Sequence, residues 1–281
     1  MGKIFDALEK ASRQTRRKEP SLSAKNKGKG GDRLTKGNVV PFTDLLNQKQ
    51  DQCPDPNLVA FYNPQSIEAE LFKVLRTNLL FPANGRPPKS IMVTSAGPGE
   101  GKSLVSANLA VSIAKGIEEH VLLIDSDLRK PSIDNYFGIV QAEGLSEYLT
   151  IGRDVSRYFT KSPVEKLTIL TAGEPPANPT ELLTTQKMKV LLDEVSQRYA
   201  DRYIIIDSAP PAVASETAAV AKYVDGIIIV VRAGKTPRHA ISEVIEQLGK
   251  EKILGIVLNH SDQNMKKYYG YGKYYNRSKS K

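Results

Sequence analysis

The chain has 281 residues, a net charge of +9 and 40% hydrophobic residues, which suits a packed core and excludes a collagenous or wholly disordered chain. One cysteine excludes an internal disulfide, and three histidines exclude a His-rich metal cluster. The longest apolar runs, such as 227–231, fall far short of the ~20 residues of a membrane span, and no signal-peptide pattern opens the sequence. The expectation is a chain of the reducing cytosol that does not cross a membrane by itself. Residues 1–60 carry 12 basic against 7 acidic side chains and 263–281 carry 6 against none, whereas 61–262 carry 22 against 24. The basic excess therefore belongs to the two ends, which argues against a nucleic-acid-binding core and for two solvated arms.

Residues 1–18 place Ile4, Phe5, Leu8 and Ala11 on one helical face before a basic run, the pattern of a short amphipathic docking helix. Residues 19–57, rich in Lys, Gly, Ser, Asn and Pro without a sustained period, read as a flexible linker. A helix is expected next, capped by Ser66, running through Ile67, Leu71, Val74, Leu75 and Leu79, and stopped by Pro82. Glu70, Lys73 and Arg76 fall three apart on it, as either a solvated face or a subunit interface.

The stretch that organises the chain is 90–106. The apolar run 91–93 is followed by Gly97-Pro98-Gly99-Glu100-Gly101-Lys102-Ser103-Leu104 and then by a helical pattern. Strand, glycine-rich turn and helix is the context of a phosphate-binding P-loop. Glycines let backbone N–H groups turn onto phosphates, and the helix N-terminus adds positive potential beneath them. In that reading Lys102 reaches the outer phosphates and Ser103 ligates Mg²⁺. Ala96 stands where the motif has its first glycine, a minor departure if the backbone there avoids positive φ.

The run 121–124 is a buried parallel-strand signature ending in Asp125 and Asp127, with Arg129 beside them. Carboxylates at such a strand end sit where open α/β sheets bind ligands, and they suit metal coordination or proton abstraction. A further strand is expected at 167–170, a rigid Pro-rich loop at 173–179 and a helix over 180–199. The run 203–206 ends in Asp207, the Walker B arrangement in which a carboxylate holds Mg²⁺ directly or through water. Strand 226–231, helix 237–248 and strand 253–258 complete an alternation that predicts an α/β fold with one doubly wound, mostly parallel sheet. The tail holds Tyr268, Tyr269, Tyr271, Tyr274 and Tyr275 among glycines and basic residues, with no aliphatic side chain between them. Composition leaves two readings open, a single-strand stacking arm or a cluster of phosphate acceptors.

P-loop, Asp125-Ser126-Asp127-Leu128-Arg129, Walker B strand and tyrosine tail, in this order, resemble the bacterial tyrosine kinases of exopolysaccharide and capsule assembly. Arg76-Thr77-Asn78-Leu79 and Asn178-Pro179-Thr180-Glu181-Leu182-Leu183 are similar to signatures of the same family. The opening MGKIFDALEK is similar to members encoded with exosortase-linked systems. The resemblance implies a MinD/ParA-like P-loop NTPase domain over 58–262 between two arms, and an autophosphorylation tail over 263–281. It implies ATP and Mg²⁺ bound at 97–104, Lys102 stabilising the transferring phosphoryl group, Asp125 as the base, and Ser103, Asp127 and Asp207 around the metal. It further implies a homo-oligomeric ring whose members phosphorylate one another's tails, with no nucleic acid. A separate membrane chain-length protein as activator, a tyrosine phosphatase, and a cytoplasmic place at the inner membrane follow from it too. The family's interface helix carries E-x-x-R-x-x-R, matched by Glu70 and Arg76 with Lys73 in the middle. A positioning ATPase of the MinD/ParA type is the nearest alternative, but it carries a lysine where this chain has Gly97. A non-catalytic nucleotide-gated adaptor is the third reading.

Overall fold

The computed structural model describes residues 53–140, 143–152, 154–197 and 202–261. The expectations for 1–18, for 263–281 and for nearly all of 19–57 lie outside the described residues.

In chain order the structure runs α1 (Val59–Tyr62), α2 (Ile67–Leu80), β1 (Ser90–Ser95), α3 (Lys102–Ala114), β2 (His120–Asp125), α4 (Ile133–Phe137) and α5 (Leu145–Ile151). It continues through β3 (Phe159–Lys161), β4 (Leu167–Leu170), α6 (Pro179–Leu183), α7 (Gln186–Gln197), β5 (Arg202–Asp207), α8 (Glu216–Ala221), β6 (Gly226–Arg232), α9 (Arg238–Leu248) and β7 (Ile253–Asn259). The described strands form one seven-stranded sheet in the order β3-β4-β2-β5-β1-β6-β7. All pairings are parallel except β3 with β4.

The inner strands read as continuous apolar runs because helices cover both of their faces. Side chains alternate across a strand, so Met92, Leu122, Ile124, Ile204, Ile206, Ile227 and Ile229 pack on one side with α5, α6, α7, α8 and α9. Ile91, Val93, Leu123, Ile205, Ile228 and Val230 face the other side, with α2, α3 and α4. This sandwiching fixes the C-terminal ends of β1, β2 and β5 side by side. Asp125 lies opposite Asp207, and Asp207 opposite Val93.

Local chemistry sets several boundaries. Ser66 Oγ accepts from Ala69 N at 3.1 Å and starts α2 as expected. The single helix expected over 180–199 is two, α6 and α7. Thr184 Oγ1 donates to the carbonyls of Thr180 and Glu181, while Thr185 Oγ1 donates to that of Leu182 at 2.8 Å and accepts from Met188 N. These hydroxyls compete with the helical ladder and end the first segment. β7 forms where expected but as an edge strand: Leu254, Ile256 and Leu258 are exposed, which an apolar run does not announce. The last residues of the expected linker are fastened to the domain. Asp55 N donates to Tyr136 O at 3.0 Å, and Asn57 O accepts from Asn108 Nδ2 at 3.0 Å.

Candidate active site

The glycine-rich turn leaves β1 and delivers its chain into the first residue of α3. Gly99 and Gly101 have φ of 74° and 94°, a region costly for side chains, whereas Ala96 is not at positive φ. The missing first glycine is therefore harmless. Glu100 is buried and turns away from the opening: its Oε2 accepts from Gly97 N at 3.1 Å, and its Oε1 accepts from Thr236 Oγ1. Asn259, at the end of β7, donates from Nδ2 to the Glu100 carbonyl at 2.8 Å. The turn is thus braced from two neighbouring strand ends. A cavity of about 680 Å³ opens in front of it, lined by Pro98, Gly99, Gly101, Lys102, Ser103 and Leu104. Of the expected nucleotide residues, Gly97 and Glu100 lie behind this wall.

Three charged groups meet at the cavity floor, with a fourth, Asp125, beneath them. Lys102 Nζ lies 2.8 Å from Asp127 Oδ2, 3.6 Å from Asp207 Oδ2 and 3.1 Å from Ser103 Oγ. Ser103 Oγ donates to Asp207 Oδ2 at 2.6 Å, and Ser106 Oγ to its Oδ1 at 3.0 Å. Asp125 is bound differently. Its Oδ1 accepts from Asp127 N at 3.0 Å, and its Oδ2 from Ser132 N at 3.0 Å and Ile133 N at 3.1 Å, the first amides of α4. It is buried and does not line the cavity, whereas Asp127 does. Both Asp125 oxygens thus accept from backbone amides beneath the floor.

The electrostatics follow from three carboxylates sharing one ammonium. Burial and the facing Asp207 push Asp125 up, to about 8, against the α4 amides and Lys102 that pull it down. Asp207 is also raised, by burial, with Lys102 and the Ser103 and Ser106 hydroxyls opposing. Burial alone would lower Lys102, but Asp207, Asp127 and Asp125 together hold it above the usual lysine range. Among the described residues no group of three His, Cys, Asp or Glu has metal-ligand spacing. The oxygens of Ser103, Asp127 and Asp207 nevertheless surround a cation, the ammonium of Lys102, and the surplus of negative charge fits a divalent ion if that lysine moves onto phosphate.

Comparison with known proteins decides the family. YwqD, a tyrosine-protein kinase of Bacillus subtilis, is 36% identical over 217 residues, covering 76% of this chain and 90% of that protein. The chain belongs to the bacterial tyrosine-protein kinases. The solved kinase domain of Escherichia coli ETK agrees at 29% identity and a TM-score of 0.68, covering 77% of this chain and 86% of that one. Residues 87–279 also match the ParA family, described as NUBPL iron-transfer P-loop NTPase, so the kinase family sits on a nucleotide-binding P-loop scaffold. MinD of Pyrococcus furiosus, at 20% identity and a TM-score of 0.52 over 62% of this chain and 74% of its own, shares the fold.

In this kinase-family chain the structure brings Lys102, Ser103, Asp127 and Asp207 together, and leaves Asp125 one layer below. Glu70, Lys73 and Arg76 lie away from the cavity on α2. Lys73 Nζ pairs with Glu70 Oε2 at 2.9 Å, and Arg76 Nη1 donates to Ser112 O at 2.8 Å. The five tail tyrosines lie outside the described residues. Sequence reasoning missed Glu216 and Asn259. Glu216 had a signal: it is the only charged residue in the otherwise apolar and small stretch 212–221. Asn259 had none, because its role depends on β7 ending beside the P-loop. No described helix is long and apolar enough to cross a membrane.

Proposed function

We propose that this chain is an ATP-dependent protein-tyrosine autokinase that phosphorylates Tyr268, Tyr269, Tyr271, Tyr274 and Tyr275 of a neighbouring copy, and thereby regulates exopolysaccharide polymerisation and export. The observation that carries this reading is the pairing of Lys102 with Asp127 at the cavity wall. When Lys102 turns onto the phosphates of ATP, Asp127 is left as an unpaired carboxylate facing the cavity. A tyrosine hydroxyl, with a pKa near 10, needs such a neighbour to give up its proton. Asp127 accordingly takes the role first given to Asp125, which instead anchors α4. Ser103 and Asp207 would hold Mg²⁺, with Asp127 close by. The bound ion would neutralise phosphate charge. Lys102 and the turn's amides orient the phosphoryl group and stabilise its charge, which supplies most of the catalysis in phosphoryl transfer.

In this reading residues 1–18 dock, 19–57 tether with Asp55 and Asn57 fastened to the domain, 58–262 catalyse and 263–281 accept phosphate. Each phosphate adds about −1.5 to −2 charges, so three or four largely cancel the tail's +6, and all five reverse it and repel it from the acidic floor. Tail docking thus builds a ring through Glu70, Lys73 and Arg76, and phosphorylation releases it. In this reading a separate membrane chain-length protein acts as activator and holds the kinase at the cytoplasmic face of the inner membrane, and a tyrosine phosphatase resets the tail.

The test is to incubate the full chain with γ-labelled ATP and Mg²⁺, beside a variant with all five tail tyrosines changed to Phe, and to map the label. Phosphotyrosine confined to the tail, and lost in the variant, is expected. Absence of phosphotyrosine with or without a membrane-partner fragment, or undiminished labelling of the variant, overturns the reading.

A further inference from the structure

The proposed mechanism leaves one buried acid unused. Glu216, in the first turn of α8, is 2% exposed, and its carboxylate meets Arg129, a residue that lines the cavity. It is fully engaged. Its Oε1 accepts from Arg129 Nε at 2.7 Å, and its Oε2 accepts from Arg129 Nη2 at 3.3 Å and from Thr180 Oγ1 at 2.8 Å. Arg129 Nη2 also donates to Thr180 Oγ1 at 3.1 Å. Three segments far apart in sequence close on one guanidinium: the loop after β2, the first turn of α6 and the first turn of α8.

A carboxylate buried this deeply is retained only where a partner compensates its desolvation, and the fork geometry of arginine does so in a fixed orientation. The Arg129 bond and that of Thr180 outweigh burial, and Glu216 stays below its usual range. The other partner is not buried. The Arg129 side chain is 43% exposed and lines the cavity, and among the described residues its hydrogen bonds run from Nε and Nη2, not from Nη1. The arginine sits two residues beyond Asp127, which pairs with Lys102, so its charge lies one carboxylate away from the P-loop lysine. A surface ion pair would fix neither member so firmly. Here one edge of the guanidinium is spent on a buried anchor, while the side chain stays part-exposed and lines the cavity in front of the glycine turn.

We propose that Arg129 binds the outermost phosphate of the nucleotide, and that Glu216, with Thr180, is the positioning residue that aims it. This rests on the kinase reading for its consequence in catalysis, and on the cavity alone for its consequence in binding. Developing charge on the transferring phosphoryl oxygens would meet a cation already oriented, with no reorganisation at the moment of reaction. Lysine could not serve, because a point charge cannot hold the bidentate anchor and the phosphate together.

The test uses the full chain and two probes, ADP and the non-hydrolysable analogue AMP-PNP, with binding measured by calorimetry and tail phosphotyrosine measured as a rate. Glu216→Gln is expected to lower the rate at saturating ATP by about tenfold to a hundredfold, as a misaimed group does. It should weaken AMP-PNP several-fold and leave ADP within about twofold of wild type. Arg129→Ala should lower the rate further, and Glu216→Gln added to it should cost no more than about twofold, because Glu216 acts through Arg129. A wild-type rate in Glu216→Gln, equal weakening of ADP and AMP-PNP, or multiplying effects in the double variant each overturn the proposal. If Glu216→Gln does not fold, Arg129→Lys carries the test through the same ratio of affinities. Should wild type itself show no phosphotyrosine, the kinase reading falls, while the ADP and AMP-PNP comparison still decides the role of Arg129.

Discussion

Lys102 Nζ lies 2.8 Å from Asp127 Oδ2, although the lysine opens α3 after β1 and the aspartate follows β2. The lysine that the phosphates require is held in reserve by a carboxylate. Replacing it therefore has two effects. Lys102→Met is expected to abolish tail phosphotyrosine, and also to destabilise the nucleotide-free domain by about 1–3 kcal/mol, because three buried carboxylates lose the ammonium that they share. Phosphotyrosine at the wild-type level in a folded variant removes Lys102 from the mechanism, and an unchanged urea midpoint removes its structural role.

The crowded carboxylates make stability depend on pH. A carboxylate whose folded pKa lies above its unfolded value binds more protons when folded, so stability falls as pH rises from the ordinary carboxylate range toward about 8, the value at Asp125. Asp207 acts in the same direction. Glu216, held below its usual range, has the opposite sign and costs stability only on further acidification. Urea midpoints of the nucleotide-free chain should therefore decline between pH 5 and pH 8. Asp207→Asn should flatten that decline, since the facing pair then carries one charge. A midpoint that rises over this window in wild type contradicts the assignment.

The P-loop is braced from β7. A Cβ on Gly101 would stand 2.0 Å from Asn259 Nδ2, at a φ of 94° that side chains rarely adopt. Gly101→Ala should thus lose nucleotide binding outright. Asn259→Ala removes only the bond to the Glu100 carbonyl, and is expected to lower stability by about 1 kcal/mol and nucleotide affinity several-fold. Nucleotide affinity equal to wild type in both variants, by calorimetry, would show that the turn holds its shape unaided.

Assembly is best tested at Glu70. Arg76 also donates to the Ser112 carbonyl near the end of α3, so a change there disturbs the monomer. Among the described residues the Glu70 carboxylate pairs only with the part-exposed Lys73, a surface bond worth about 0.2–1 kcal/mol. Glu70→Lys should leave the unfolding midpoint nearly unchanged while lowering the oligomer's mass in light scattering. An unaltered mass assigns α2's charges to a solvated face.

Much of the site is local in sequence, and that part was legible. Strand, glycine turn and helix between 90 and 106 need only neighbouring residues, as do the strand ends at Asp125 and Asp207, because an apolar run followed by a carboxylate carries its own meaning. The short helices α1, α4, α5 and α8 were not legible, since none is long enough to show a period. The three-residue β3 was hidden for the same reason.

The amino-acid sequence by itself determined the parallel core, the P-loop and the concentration of positive charge toward the two ends of the sequence, and its motifs carried the resemblance to the family. The core and the P-loop are written in periods and spacings that a short window contains. Only the tertiary structure decided which carboxylate faces the cavity. Asp125 and Asp127 are two residues apart and chemically identical, but the amides of α4 close over the first while the second meets Lys102. It also decided that Arg129, Thr180 and Glu216 form one cluster, although 87 residues separate the first from the last. Crossovers of a doubly wound sheet bring such distant segments to the same strand ends, and no local pattern records which of them will meet there.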